Sequence, residues 1–186
     1  KLSERRSHFD DVYCEFGSGS GRHLVERAAA DPKSFYVGFE LRYKRACRTA
    51  EKAFARGIEN LFVLRCNAHL VFDLFPLESL SGIYVNFPDP WDRRRWEKHR
   101  MLTEDFLGRL PQVLKSNGFL SYKTDHETRF HETSNLLGTM PAWTIEKLTE
   151  NLHSEDLRDD YVKTEFESLF SSKGMRIFYV LARKAA

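Results

Sequence analysis

The sequence predicts an α/β protein: a Rossmann-like, doubly wound, mostly parallel seven-stranded sheet with helices on both faces and an antiparallel edge strand. Three observations lead there. Apolar, strand-like runs alternate with helical stretches across short connections, and parallel strands need such helical crossovers. The first run ends in a glycine-rich turn, Gly17-Ser18-Gly19-Ser20-Gly21. The last two runs are separated by a polar segment and not by a clear helix, which lets them pair antiparallel at one edge.

Taken in order, Val12 to Phe16 reads as a short buried strand. Arg22 to Ala30 has helical composition and ends before Asp31-Pro32, because a residue preceding proline is turned away from the helical region. Phe35 to Phe39 is a second strand, with Glu40 at its end. Arg42 to Arg56 is a helix closed by Gly57. Leu61 to Cys66 is a third strand, His69 to Phe75 a short helix stopped by Pro76, and Gly82 to Phe87 a fourth strand. A basic stretch follows, then a helix from Glu104 to Leu114. Asn117-Gly118 turns the chain into a fifth strand, Phe119 to Thr124, and Glu127 to Leu137 is a helix. Trp143 to Leu148 and Arg176 to Ala182 are the sixth and seventh strands, joined by the polar segment Thr149 to Lys173.

With 186 residues, 41% hydrophobic and 30% charged, the chain can bury a real core, and residues 1–186 are read as one domain. That balance argues against wholesale disorder. No apolar run reaches the length of a membrane span and no signal peptide is recognisable, so a cytoplasmic protein is expected. Cys14, Cys47 and Cys66 are odd in number and lack Cys-x-x-Cys spacing, which favours reduced thiols over disulfides or zinc. The seven histidines show no paired metal-ligand spacing, and no Ser-His-Asp or Cys-His arrangement has local support. No metal is expected. A net charge of +2 decides little, but local clusters say more. Residues 42–56 carry Arg42, Lys44, Arg45, Arg48, Lys52 and Arg56 against Glu51. Residues 92–100 carry Arg93, Arg94, Arg95, Lys98 and Arg100 against Asp92 and Glu97. Either cluster alone fits a solvated helix face. Two in one small domain also fit a nucleic-acid phosphate backbone.

In doubly wound folds ligands bind beyond the carboxyl ends of the strands, where strand order reverses. Gly17, Gly19 and Gly21 remove side chains where backbone must approach a ligand. Glu40, ending the second strand, is placed to accept from ribose hydroxyls. A dinucleotide loop reads Gly-x-Gly-x-x-Gly and sets a pyrophosphate at a helix N-terminus. Here the loop is Gly-x-Gly-x-Gly with Glu15 just before it. A carboxylate repels a pyrophosphate but attracts the amino group of a methionine moiety. S-adenosylmethionine is therefore favoured over a nicotinamide dinucleotide. The pattern resembles the first motif of class I methyltransferases, a resemblance that implies a seven-stranded sheet with an antiparallel last strand.

At the end of the fourth strand stands Asn86-Phe87-Pro88-Asp89-Pro90-Trp91. Two prolines restrict the backbone on both sides of Asp89, which pre-positions its carboxylate. A cap for the next helix is the plainer role for Asp89, and core packing for Trp91. Phe87 to Trp91 followed by a basic run resembles the signature of tRNA (guanine-N7-)-methyltransferases. The likeness extends through Glu15 to Gly19, Gly38-Phe39-Glu40, Thr124-Asp125 and Thr164-Glu165-Phe166-Glu167.

The resemblance implies methyl transfer from S-adenosylmethionine to N7 of a guanine in tRNA. It implies cofactor contacts at Glu15, Gly17, Gly19, Glu40, Asn67, Ala68 and Asp89, with Asp89 also catalytic. Asn67 stands where the family has aspartate, and its amide oxygen still offers an acceptor to the adenine amino group. Substrate contacts are implied at Arg93, Asp125, Thr164 and Glu167. Arg93 replaces a common lysine, keeping charge but changing its geometry. Glu165 replaces a lysine of the family's Thr-Lys-Phe-Glu segment, and Ser168-Leu169 replace an Arg-Gly pair. Guanine N7 carries a free lone pair, so alignment and not proton removal drives the displacement. Asp89 or Asp125 is expected to accept from the guanine N1–H and N2–H, and Trp91 offers a stacking surface for an extruded base. Other readings of the same residues are a methyltransferase for another RNA or a small molecule, a non-catalytic RNA-binding subunit, and a nicotinamide dehydrogenase. The sequence leaves monomer and homodimer open.

Overall fold

The computed structural model describes residues 2–154 and 161–185. Fourteen helices and strands follow one another in the order α1 (Leu2–Arg6), β1 (Val12–Phe16), α2 (Arg22–Ala30), β2 (Phe35–Phe39), α3 (Tyr43–Ala55), β3 (Leu61–Leu64), α4 (Val71–Leu74), β4 (Leu80–Asn86), α5 (Glu104–Arg109), β5 (Leu114–Thr124), α6 (Glu127–Thr139), β6 (Trp143–Thr149), α7 (Glu165–Ser172) and β7 (Phe178–Lys184). Short 3₁₀ turns at Ala68–Leu70, Arg94–His99, Leu110–Gln112 and Leu152–Ser154 fill connections.

The strands form one seven-stranded sheet in the order β3-β2-β1-β4-β5-β7-β6. β1 to β5 pair in parallel, and β7 runs antiparallel to both its neighbours. The antiparallel strand therefore lies one position inside the edge, and β6 is the edge itself. Strand side chains alternate between two apolar layers. Val12, Cys14 and Phe16 join Phe35, Val37, Phe39, Ile83 and Val85 in the larger one, which Val71, Phe106, Leu107, Phe130 and Leu137 cover from α4, α5 and α6. Tyr36 and Leu61 face the other way, beneath Leu24, Val25 and Ala28 of α2 and Ala53 of α3. β2 is buried along its whole length, as a central parallel strand must be when helices cover both faces.

Two expectations needed correction. Asn117-Gly118 is not the start of a strand but a bulge inside one: Leu80 pairs with Leu114 and Gly82 with Phe119, and Asn117 adopts a φ of 63°. The polar segment Thr149 to Lys173 contains a helix, α7. A full capping box starts it, with Thr164 Oγ1 accepting from the Glu167 amide while the Glu167 carboxylate accepts from the Thr164 amide. Residues 155–160 of that segment lie outside the described residues. The short N-terminal α1 was also missed; its five residues bury no side chain.

Candidate functional site

The strand order reverses between β1 and β4, since β2 lies on one side of β1 and β4 on the other. A cleft of about 450 Å³ opens there, beyond the carboxyl ends of β1, β2 and β4. The glycine loop makes its floor. Gly17 and Ser18 donate to the Phe39 carbonyl at 2.8 and 3.0 Å, which pins the loop to the end of β2. Gly21 has a φ of 79°, and a Cβ there would lie 2.3 Å from the Thr49 side chain, so only glycine lets α3 pack against the loop. Lys52, also on α3, donates to the Ser20 carbonyl at 2.9 Å.

Glu40 ends β2 and is 6% exposed. Its Oε2 accepts from the Gly19 amide at 2.9 Å and its Oε1 from the Arg42 amide at 2.7 Å. The carboxylate is thus held at the cleft with lone pairs to spare. Glu15 is 2% exposed; its Oε1 accepts from Asn86 Nδ2 at 2.9 Å, and its Oε2 lies 3.2 Å from His23 Nδ1. Burial pushes His23 below its usual range despite the neighbouring Glu15, so the ring is neutral at neutral pH. Two buried oxygens at the cleft, Asn86 Oδ1 and Ser18 Oγ, have no hydrogen-bond partner among the described residues, and Glu15 Oε2 has the His23 ring beside it. Buried acceptors left open at a cleft call for a donor from outside, and a cationic one most of all. The residues present therefore fit a ligand carrying an ammonium group near Glu15 and hydroxyls near Glu40.

The opposite wall is the loop after β4. Phe87 and Trp91 have φ values of 50° and 48°, a region that side-chain-bearing residues rarely enter. Two such residues enclosing Pro88-Asp89-Pro90 mark a loop forced into one shape by its surroundings. The Phe87 amide donates to the Lys123 carbonyl of β5 at 2.8 Å, and its ring packs 5.6 Å from Phe170 of α7. Asp89 projects from this loop with 65% of its side chain exposed, 3.9 Å from Arg42 Nη2. Trp91 is half-buried against Trp96 and His99, at 5.9 and 5.2 Å between ring centres.

Of the residues expected at the site, Glu15, Gly17, Gly19, Glu40, Asn67, Ala68, Asp89, Asp125 and Thr164 all line this one cleft. Asn67 uses its side-chain oxygen to cap the turn Ala68–Leu70, accepting from the His69 amide at 3.0 Å, as an aspartate would. Two residues are not on the wall. Arg93 is exposed, with its guanidinium 4.8 Å from the Trp96 ring centre. Glu167 is fully buried behind the wall, 3.0 Å from Lys123 Nζ and also bonded by the Tyr161 hydroxyl. Burial raises the Glu167 carboxyl, but Lys123 and the Tyr161 hydrogen bond outweigh it and hold the group below the usual carboxylate range. The substrate contact expected at Glu167 meets a side chain that is fully buried in this structure.

Sequence reasoning gave no site role to Asn86, Ser18, His23 or Arg45, which line the cleft, although Asn86 and Ser18 stand in the two motifs it singled out. Asn86 had a signal: a polar side chain ending the apolar run Ile83-Tyr84-Val85. Buried His23 had none, since a helical histidine is ordinarily solvated. No helix among the described residues is long and apolar enough to cross a membrane. Nor do the described residues hold a group of three His, Cys, Asp or Glu placed for a metal ion.

A family model described as "Putative methyltransferase" matches residues 10–180. A tRNA (guanine-N(7)-)-methyltransferase of Clostridioides difficile is 33% identical over 173 residues, covering 93% of this chain and 80% of that protein. A bifunctional glycosyltransferase/methyltransferase of Fusobacterium nucleatum is also 33% identical over 99% of this chain, which spans 29% of that longer protein. Among solved structures, the 16S rRNA methyltransferase KamB superposes with a TM-score of 0.73 at 16% identity, covering 100% of this chain and 93% of that one; at that identity the likeness speaks for the fold alone.

Proposed function

The chain belongs to the tRNA (guanine-N(7)-)-methyltransferase family, and from that premise we propose how its cleft carries out the reaction. It transfers a methyl group from S-adenosylmethionine to N7 of a guanine in tRNA. The observation that carries this reading is the meeting of two loops in one cleft: the acid-flanked glycine loop after β1 and the Pro88-Asp89-Pro90 loop after β4.

Glu15 and Asn86 supply the open acceptors for the amino group of the methionine moiety, and Glu40 those for the ribose hydroxyls. Gly17 and Gly19, both at positive φ, leave the floor clear of side chains. Ala68, behind the Asn67 cap, offers an apolar seat for the adenine. S-adenosylmethionine supplies a methyl group on a sulfonium, which needs no metal and no further activation. The protein's part is alignment, since N7 of guanine presents a lone pair and no proton. Asp89 and Asp125 accept from N1–H and N2–H of the base, and those bonds strengthen as positive charge passes to the purine. Trp91, half-buried at the rim, offers a face for the extruded base. Arg42, Arg45, Lys98 and Arg100 stand around the mouth, where the flanking phosphates pass.

The same reading takes residues 1–186 as one methyltransferase domain and the cytoplasm as its workplace; the three free cysteines suit a reducing compartment. Incubation with unmodified tRNA and labelled S-adenosylmethionine, followed by nucleoside mass spectrometry, tests it. The expected product is 7-methylguanosine. Its absence from a protein that binds S-adenosylmethionine would overturn the proposal.

A further inference from the structure

Glu165 stands at the position where this sequence departs from the family's Thr-Lys-Phe-Glu pattern. It opens α7, yet its partners lie on other elements. One carboxylate oxygen accepts from the Ser20 hydroxyl in the glycine loop, 145 residues away in sequence. The other accepts from Lys52 Nζ of α3 at 3.1 Å. Lys52 in turn donates to the Ser20 carbonyl at 2.9 Å, so α7, the glycine loop and α3 meet at one point. The Ser20 hydrogen bond and the Lys52 charge hold the Glu165 carboxyl below the usual carboxylate range, and the group is ionised at neutral pH.

α7 is fixed differently on its inner side. There Glu167 is fully buried and paired with Lys123 of β5, a contact that cannot open without stranding a charge. The Glu165 contact is partly solvated, with 41% of the Lys52 side chain and 49% of the Glu165 side chain exposed, and opens at low cost. Thr164, Phe166 and Phe170 line the cleft from this helix and its cap, so the cleft wall follows wherever α7 is held.

We propose that Glu165 is a positioning residue for the cofactor side of the cleft: its bonds to Ser20 and Lys52 latch α7 onto the glycine loop and close the wall over bound S-adenosylmethionine. The inference rests on the cleft being the S-adenosylmethionine site. Glu165→Lys sets two ammonium groups together and opens the latch, and Lys52→Glu in the same chain rebuilds the ion pair with its charges exchanged, without the Lys52 bond to the Ser20 carbonyl.

Two readouts test it: S-adenosylmethionine affinity by titration calorimetry, and amide hydrogen exchange of residues 17–21 and 165–172 without the cofactor. Glu165→Lys should weaken binding by about three- to tenfold and speed exchange in both segments, with the unfolding midpoint almost unchanged. The exchanged pair should recover part of both, because the ion pair returns and the bond to the Ser20 carbonyl does not. Wild-type affinity and exchange in Glu165→Lys, or no recovery in the exchanged pair, would overturn the latch. A wild-type protein that binds no S-adenosylmethionine would overturn the cofactor reading instead, and hydrogen exchange alone would then decide whether the two segments are coupled.

Discussion

On the cofactor side of the cleft, Glu15 and Glu40 are 2% and 6% exposed, and each oxygen of Glu40 already accepts from a backbone amide. Across the cleft, Asp89 is 65% exposed, with the Arg42 guanidinium 3.9 Å from its carboxylate. The first region is a finished receptor, its carboxylates fixed by short bonds that fold with the sheet. The second is a stiff frame carrying free groups. Its loop is shaped by two prolines and two positive-φ residues, but the Asp89 carboxylate it carries stays solvated. A small ligand met by every copy of the enzyme rewards a pre-built site. A large polyanion supplies its own charge and shape, so the groups that meet it stay solvated until it arrives.

Replacing Glu167 should have the largest effect. If it is the internal strut described above, Glu167→Ala leaves Lys123 charged and buried, and urea melts should show a loss of about 3–5 kcal/mol. If it instead touched substrate, the KM for tRNA would rise with stability intact. Asp89→Ala comes next. Losing a group that orients the base should lower kcat by about a hundredfold or more, while S-adenosylmethionine affinity in calorimetry changes far less. Equal losses in both would erase the division between the two sides. Glu40→Gln should do the reverse, raising the S-adenosylmethionine Kd by about tenfold or more through lost charge-assisted bonds, with the KM for tRNA little moved.

Smaller again is the effect of the solvated cations. Arg94→Ala should weaken tRNA binding roughly equally for all sequences and reduce the slope of log K against log salt by about one, as for a single phosphate contact. The smallest effect concerns His23, which faces Glu15 on β1, Arg27 on its own helix and Lys123 on β5. Burial lowers its pKa from 6.5 in the folded state. Below about pH 6.5 the unfolded chain therefore binds a proton that the folded one refuses, and stability falls with pH at no more than about 1.4 kcal/mol per unit. His23→Gln should flatten that part of the stability curve; an unchanged slope would show that another group titrates.

Much of the glycine-loop side of the cleft was legible because its logic is local. Glycines at positive φ, an acid before them and an acid at the next strand end lie within residues 15–40. Asp89 was legible for the same reason, since its prolines adjoin it. Arg93 stood in for the family's common lysine and Glu167 matched the family pattern, but pattern carries no burial. One points to solvent beside Trp96 and the other lies behind the wall. α7 went unread because its polar segment lacks a long apolar stripe. Its capping box lies in Thr164 and Glu167, the two residues for which the resemblance implies substrate contacts.

By itself the sequence determined the elements whose cause is short-range: apolar runs that must be strands, breakers that end helices, and a turn only glycines can make. The tertiary structure decided what depends on residues far apart. β7 enters between β5 and β6, an order that alternation along the chain does not encode. Lys123 and Glu167 become a buried pair only when β5 and α7 meet. The glycine loop is bonded by Glu165, 145 residues beyond Ser20, because folding brings α7 to the same cleft.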